Sequence, residues 1–249
     1  MTDHVQTEIV GGALTVRINR PDKRNAITQE MYQSLGDALV SAEADPSVRV
    51  VVFTGSGGAF TAGNELSDIA ERDVLEPSSP TSRFIRALID TTKVLVAEVD
   101  GAAIGIGTTM LLHFDLVYAT ARSKFGLPFV NLGVVPEACS TVLLPRIAGP
   151  QRAAKLLLFG DVFSAADALD AGIVSEVLAD ADALRDRVAD RVTALLARPA
   201  GALTAVRGLL HHTASLAELH TAAALEGEVF TVISKSPEAQ AAIARLTKR

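Results

Sequence analysis

Tryptophan is absent, cysteine occurs once, and aromatic residues make up only 4% of the 249-residue chain. With so few large rings, Ala, Val and Leu must supply most of the packing in a sequence that is 49% hydrophobic. The single cysteine, Cys139, excludes an intrachain disulfide and a cysteine-based metal cluster. An excess of cations is also missing. With 23 Lys and Arg against 29 Asp and Glu the net charge is −6, which argues against nonspecific nucleic-acid binding driven by cations on phosphate. A few local cations still leave room for an anionic small ligand. Long hydrophobic runs are lacking too: KVLVAEVDGAAIGIGTTMLLHFD is broken by acids and glycines before it reaches membrane-spanning length. The N-terminus MTDHVQTEIVGG carries neither a basic nor an apolar signal region. The expectation is a soluble cytoplasmic protein with no membrane or nucleic-acid partner.

What is present alternates between strand and helix patterns. HVQTEIV-GG-ALTVRIN reads as a hairpin around Gly11 and Gly12. RPDKRNAIT is a turn, and Thr28 is placed to cap a helix running to Ala44, with Met31, Leu35, Leu39 and Ala42 as its apolar stripe. VRVVVFTG is too continuously apolar for a half-exposed strand and suits a sheet covered on both faces. DVLEPSSPTS reads as a mobile surface loop, followed by a helix over SRFIRALIDTT and a buried strand, VLVAEVD. The order strand, glycine loop, helix recurs around residues 50–72 and 95–114, which implies an α/β core. Beyond residue 179 the strand signals stop and four helical patterns follow. The expected organisation is a core over residues 1–180 and an all-helical region over 181–249.

Two glycine loops, Gly55–Asn64 and Gly101–Gly107, admit two readings. They can be tight strand-to-helix turns only. Alternatively, two loops that each open a helix bring two backbone N–H groups together, and such a pair binds a developing oxyanion. A dinucleotide loop is disfavoured because GAAIGIG lacks the G-x-G-x-x-G order, and no Gly-Lys-Ser/Thr follows for a phosphate loop. His4, His211, His212 and His220 lack metal-ligand spacing with acids, so no metal site is expected. Glu65 and Asp68 read as structural or solvated, His113 as a packed histidine, Cys139 as a small buried filler and Asp115 as serving a helix-to-strand junction.

RPDKRNAIT, GGAFTAGNEL, DGAAIGIGTTMLLHFDLVYAT and FGLPFVNLGVVPEACSTVLLPRIAG, in that order, resemble the enoyl-CoA hydratase/isomerase (crotonase) family over residues 8 to 175. The resemblance implies a crotonase-like spiral of ββα units, a C-terminal helical oligomerisation region, and a homotrimer or a hexamer built as a dimer of trimers. It also implies an acyl-CoA thioester as substrate, with no cofactor beyond the coenzyme A that the substrate carries. By the same resemblance the backbone N–H groups of Asn64 and Ile106 form the oxyanion hole. Arg24, Ala26, Ala62 and Leu66 lie along the CoA moiety, and Lys23 is a further cation near its phosphates. Phe230, Lys248 and Arg249 are candidates to touch a neighbouring subunit's nucleotide.

The hydratases of this family use two glutamates, and their positions fall here on Thr109 and Phe129, neither of them acidic. Glu137 survives. By position it reads as an acid at a helix N-terminus, stabilised by the dipole. The motif around it, PFxxLGxxPExCS, resembles the peroxisomal-type Δ3,Δ2-enoyl-CoA isomerases, which makes Glu137 the expected acid/base for shifting a 3-enoyl-CoA double bond; enoyl-CoA hydration or thioester hydrolysis on the same fold, and a catalytically silent acyl-CoA-binding protein, stay open as alternatives. Phe129 and Leu132 are expected to line the acyl pocket and to raise its pKa, while a helix N-terminus would lower it.

Overall fold

The computed structural model describes residues 3–211 and 216–247, so His212, Lys248 and Arg249 lie outside the described residues. In chain order the strands are β1 (Val5–Val10), β2 (Ala13–Ile18), β3 (Val50–Gly55), β4 (Val94–Val99), β5 (Ala102–Ile104), β6 (Leu116–Thr120), β7 (Lys124–Gly126), β8 (Val162–Ser164) and β9 (Glu176–Leu178). The α-helices are α1 (Gln29–Ala44), α2 (Leu66–Glu71), α3 (Pro80–Asp90), α4 (Ile106–Thr109), α5 (Ser140–Ala148), α6 (Pro150–Phe159), α7 (Ala165–Asp170), α8 (Ala181–Leu196), α9 (Ala200–His211), α10 (Leu216–Ile233) and α11 (Pro237–Thr247).

The main sheet has the order β1-β2-β3-β4-β6-β9. Its first pair is the antiparallel hairpin, with Val10 opposite Ala13, and every later pair is parallel. A smaller sheet, β5-β7-β8, stands beside it. The apolar run in β3 is covered on both faces. Val51 and Phe53 join Leu95 and Ala97 under Met31, Leu35, Phe84 and Leu88 of α1 and α3. Val50 and Val52 join Val94 and Val96 under Leu184 and Val188 of α8. Removing each such side chain from water is worth roughly 1.5–3 kcal/mol, so this two-sided cover is what stabilises a parallel sheet.

Local signals set the ends of the elements. The Thr28 hydroxyl accepts from the Met31 N–H at 3.3 Å, capping α1 where the sequence places the cap. The segment expected to be a mobile surface loop is a correction. Val74 and Leu75 are buried, and the Ser79 hydroxyl donates to the Val74 carbonyl at 2.8 Å while capping α3. Apolar anchors inside a Pro- and Ser-rich stretch decide its placement.

The C-terminal helices finish the core as well as extending the chain. Leu219, Phe230, Ala239 and Ile243 belong to the same buried cluster as α1 and α3. Phe230 is thereby buried, which removes it as a contact for a neighbouring subunit's nucleotide. Asp115 ties this region to the sheet: it accepts from the Leu95 N–H at 2.7 Å, from Arg207 Nε at 2.7 Å and from His211 Nε2 at 2.8 Å. Burial works to raise its pKa, and the bonds from His211 and Arg207 hold it below the usual carboxylate range. Arg207 also donates to the Thr91 carbonyl.

Removing one partner of a buried ion pair leaves the other charge uncompensated, at a cost of about 3–5 kcal/mol. Arg207→Leu is therefore expected to lower the urea-unfolding free energy by about that amount, whereas Arg185→Ala, which breaks the exposed pair with Asp182, leaves the midpoint in place.

Candidate active site

Three backbone segments run side by side at the centre of the site. The Ala62 N–H donates to the Arg24 carbonyl at 2.9 Å, Ile27 N–H to Gly63 at 2.8 Å, and Glu65 N–H to Ile27 at 2.9 Å. On the other edge the Thr61 N–H donates to Ala102 at 2.9 Å and Ile104 N–H to Thr61 at 3.0 Å. The two glycine loops are thus stitched together. Gly63, at φ +97°, lies so close to the second loop that a Cβ would stand 2.7 Å from the Ile104 carbonyl oxygen. A Cβ on Gly107 would stand 2.7 Å from Thr61 Cγ2. Side chains are excluded here so that backbone can meet backbone.

Because Gly63 and Glu65 make the bonds to Ile27, the Asn64 N–H faces the opposite edge, towards the second loop. Ile106 opens α4, where the first N–H groups of a helix have no intrahelical acceptor. Among the described residues neither the Asn64 N–H nor the Ile106 N–H has an acceptor within the protein. Two unused donors on adjoining loops, one at a helix N-terminus, make an electrophilic corner.

The Glu137 carboxyl stands beside it, only 1% exposed. Asn64 Nδ2 donates to its Oε2 at 3.2 Å, and the Thr109 hydroxyl donates to its Oε1 at 3.0 Å. Asn64 is oriented in turn by the Tyr32 hydroxyl, which donates to Asn64 Oδ1 and leaves the amide N–H₂ facing Glu137. Burial raises the Tyr32 pKa well above 10, and the charge of Glu137 adds to the rise, so this donor stays protonated. Burial likewise pushes Glu137 up to about 7, with the charge of Glu226 adding to it and the bonds from Thr109 and Asn64 opposing it. The helix N-terminus expected to act on Glu137 is taken by another residue. Glu226 accepts from the Cys139 N–H at 2.7 Å and the Thr141 N–H at 3.0 Å, at the start of α5. Burial therefore decides the Glu137 pKa.

Glu137 opens into a cavity of about 670 Å³ walled by α3, α10 and the Leu75–Pro77 turn. Leu75, Ile85, Ala223 and Gly227 form its apolar lining. Phe129 and Leu132, expected to line an acyl pocket, do not border this cavity. The Leu132 N–H closes a 3-10 turn on the Phe129 carbonyl at 3.0 Å, and Phe129 is buried in the core with Leu132 half-buried against it. Asn64 and Ile106 do not border it either; Glu137 borders it and accepts from the Asn64 side-chain amide.

Arg24 is exposed and bonded through its carbonyl to the Ala62 N–H, Ala26 and Ala62 are half-buried, and Leu66 packs against the core. Asn25, between two of them, is the residue that fixes this turn. Fully buried, it donates through Nδ2 to the Ala59 carbonyl at 2.7 Å and accepts at Oδ1 from the Arg20 N–H at 2.8 Å. Glu65 pairs with Arg20 at 2.7 Å and Asp68 accepts from the Gln29 N–H at 3.0 Å, so both are structural. His113, pushed by burial down to about 4, is bonded through Nε2 to the Ala138 carbonyl at 2.8 Å and is neutral. Burial pushes the Cys139 thiol up to about 12, which leaves it unsuited to attack.

Sequence reasoning passed over Tyr32 and Glu226, although each carried a signal. Tyr32 lies three and seven residues before Leu35 and Leu39, on the buried face of α1, and a buried tyrosine hydroxyl needs a partner. Glu226 falls on the stripe Leu219, Ala222, Glu226, Phe230, an acid at helical spacing among apolar residues that are all buried.

The raised pKa of Glu137 carries a stability cost with a definite sign. Below pH 4.5 the carboxyl is protonated in folded and unfolded chains alike and costs nothing. Between 4.5 and about 7 the unfolded chain releases its proton first, so the folded state loses ground as pH rises. Above that the penalty is constant, about 3 kcal/mol at most. Glu137→Gln is expected to be more stable than the parent by up to this amount at pH 8 and no more stable at pH 4, as checked by chemical denaturation at both values.

A family model described as Enoyl-CoA hydratase/isomerase matches residues 8–249. Enoyl-CoA delta isomerase 3, peroxisomal, from Mus musculus is 42% identical over 172 residues, covering 67% of this chain and 54% of that protein. Enoyl-CoA delta isomerase 2 from Homo sapiens is 38% identical over 199 residues, covering 77% and 50%. The chain spans about half the length of these curated relatives. The structure of Pseudomonas aeruginosa OdaA matches with a TM-score of 0.96 at 37% identity, covering 100% of both chains. With paired donors beside a buried carboxyl and a match running from residue 8 to residue 249, the chain belongs to the enoyl-CoA hydratase/isomerase family.

Proposed function

We propose that this protein moves the double bond of a 3-enoyl-CoA to the 2-position, with Glu137 as the single acid/base. The observation that carries the reading is a buried carboxyl, raised to about 7, whose hydrogen-bond partner Asn64 also presents one of two unused backbone N–H groups. Bound thioester oxygen accepts from the Asn64 and Ile106 N–H groups. Glu137 removes a proton from C2, negative charge spreads over the dienolate onto that oxygen, and Glu137 returns the proton to C4. A base with a pKa near the working pH is suited to both halves of this exchange. The donors stabilise charge where it develops.

Thr109 fits both ionisation states of the base. Its hydroxyl donates to the carboxylate at 3.0 Å, and it can instead accept from the carboxylic acid while donating to the Gly105 carbonyl at 3.4 Å. At the position where the family's hydratases carry a glutamate, this chain thus carries a hydrogen-bond partner for Glu137. That favours isomerisation over two-carboxylate hydration.

The proposal extends to the rest of the ligand and to assembly. Arg24, Ala26, Ala62 and Leu66 receive the CoA moiety, and the apolar cavity receives the acyl chain. Exposed apolar side chains on α9 and α10, among them Val206, Leu209 and Leu225, suit association into a trimer or hexamer. A cytoplasmic location belongs to the same proposal; no described helix is long and apolar enough to cross a membrane.

Purified protein is expected to convert 3-hexenoyl-CoA to its 2-enoyl isomer and to hydrate crotonyl-CoA far more slowly. Glu137→Gln should lose roughly 10²–10⁴-fold in kcat, the range of general base catalysis. Full isomerase activity in that variant, or binding without turnover in the parent, contradicts the reading. The pH profile adds a signed test. The kcat/KM value should fall as pH drops through about 7, and Thr109→Val, which removes a bond favouring the ionised form, should move this limb to higher pH.

A further inference from the structure

We infer that Glu226 is a positioning residue for Glu137: from α10 its carboxylate clamps the left-handed Ala138–Cys139 turn that aims the base. The inference rests on the reading of Glu137 as the acid/base and goes beyond it by naming what holds that base in place.

Ala138 and Cys139 follow Glu137 directly and have φ of +57° and +58°. Two consecutive side-chain-bearing residues in the left-handed region do not hold that shape by themselves, because each Cβ crowds its own backbone. Such strain persists only where surrounding contacts over-determine it. Here the contacts come from two sides. From the core, His113 Nε2 is bonded to the Ala138 carbonyl at 2.8 Å. From α10, Glu226 Oε2 accepts from the Cys139 N–H at 2.7 Å, while Oε1 accepts from the Thr141 N–H at 3.0 Å and its hydroxyl at 2.6 Å. The ionised carboxylate is the form suited to three donors. Burial raises the Glu226 pKa, and the bonds from Thr141 and Cys139 pull it back.

A distant carboxylate at a helix N-terminus could serve stability alone. Position argues for more. Glu226 borders the same cavity as Glu137 and bonds the residue two places after it, so any retreat of this carboxylate releases the turn from which the base projects. Its charge also opposes ionisation of Glu137. The other ionisable groups around the cavity and at the turn are Tyr32, His113, Glu76, Arg86, His220, Glu228 and the Cys139 thiol, which burial and the Glu226 charge push up to about 12. Tyr32 and His113 are neutral, Arg86 donates to the Pro77 carbonyl at 2.8 Å, and His220 is bonded to Asp90 at 2.8 Å. None of these bonds involves Glu226.

Two substitutions probe geometry and charge. Glu226→Asp keeps the charge but withdraws it by one methylene, so it cannot reach both N–H groups. Glu226→Gln removes the charge and keeps a single acceptor oxygen, so it gives up one of the two N–H bonds as well. In the full-length folded protein, Glu226→Asp is expected to lower kcat for 3-hexenoyl-CoA by at least about tenfold with KM within about threefold, since a displacement of order 1 Å can cost about 10²-fold. Its acid limb should stay at the parental pH, while the limb of Glu226→Gln moves lower. Parental kcat in Glu226→Asp, or a loss confined to KM, overturns the positioning role, and an unmoved limb in Glu226→Gln overturns the electrostatic one. Should Glu226→Gln fail to fold, the kcat and KM of Glu226→Asp still decide the positioning role. If the parent protein moves no double bond, the function reading fails separately. The Glu137 carboxyl is then titrated by infrared difference against Glu137→Gln. A Glu137 midpoint lower in Glu226→Gln than in the parent upholds the coupling, and an identical midpoint overturns it.

Discussion

An ionisable carboxyl with 1% of its surface exposed has to be held by the protein in both of its charge states, and the architecture of this site follows from that requirement. Glu137 receives one donor from each glycine loop region: Asn64 from the first and Thr109 from the helix that opens the second. The loops that present the two free N–H groups are therefore the same loops that hold the proposed base. Donor geometry and base geometry cannot vary independently, because a shift of either loop moves both. A hydroxyl at position 109 is matched to this task, since it can donate to a carboxylate or accept from a carboxylic acid.

The remainder of the fold acts at one remove. The parallel sheet sets the C-terminal ends of β3 and β4 side by side, so the chain leaves both strands towards one corner. Bonds between residues 24–27, 61–65 and 102–104 then lock the exit paths together, with Asn25 bracing the first. Helix α10 closes the corner from outside, burying Leu219 and Phe230 in the core and delivering Glu226 to the start of α5. The C-terminal region is thus part of the wall of the cavity that Glu137 borders, in addition to any role in assembly.

Much of this frame is legible in the sequence because it rests on local periodicity. The hairpin around Gly11-Gly12, the Thr28-capped helix and the two-sided burial of VVVFTG all follow from patterns a few residues long. β7, β8 and β9 are passed over because three-residue strands give alternation no room to accumulate. The turn holding Val74 and Leu75 misleads for the opposite reason: its composition is that of a loop, and two apolar side chains outweigh it. The site is harder still. A lone acid after proline reads as an ordinary helix-start residue, and Glu137 gains its role only through resemblance and burial. The residue that in fact occupies the helix start, Glu226, lies 87 positions from Cys139, a separation that no local pattern spans. Tyr32 and Asn64 meet in the same non-local way.

Sequestration of the base is the central claim, and it has a direct signature in the fate of one proton. A carboxyl buried beneath its substrate exchanges slowly with water, so the hydrogen taken from C2 is the one returned to C4. Turnover of 3-hexenoyl-CoA in D₂O, with deuterium at C4 of the product measured by mass spectrometry at low conversion, tests this. The account predicts a product that retains substrate hydrogen at C4 in a large fraction of turnovers. Incorporation of one solvent deuterium at C4 in every turnover would contradict it.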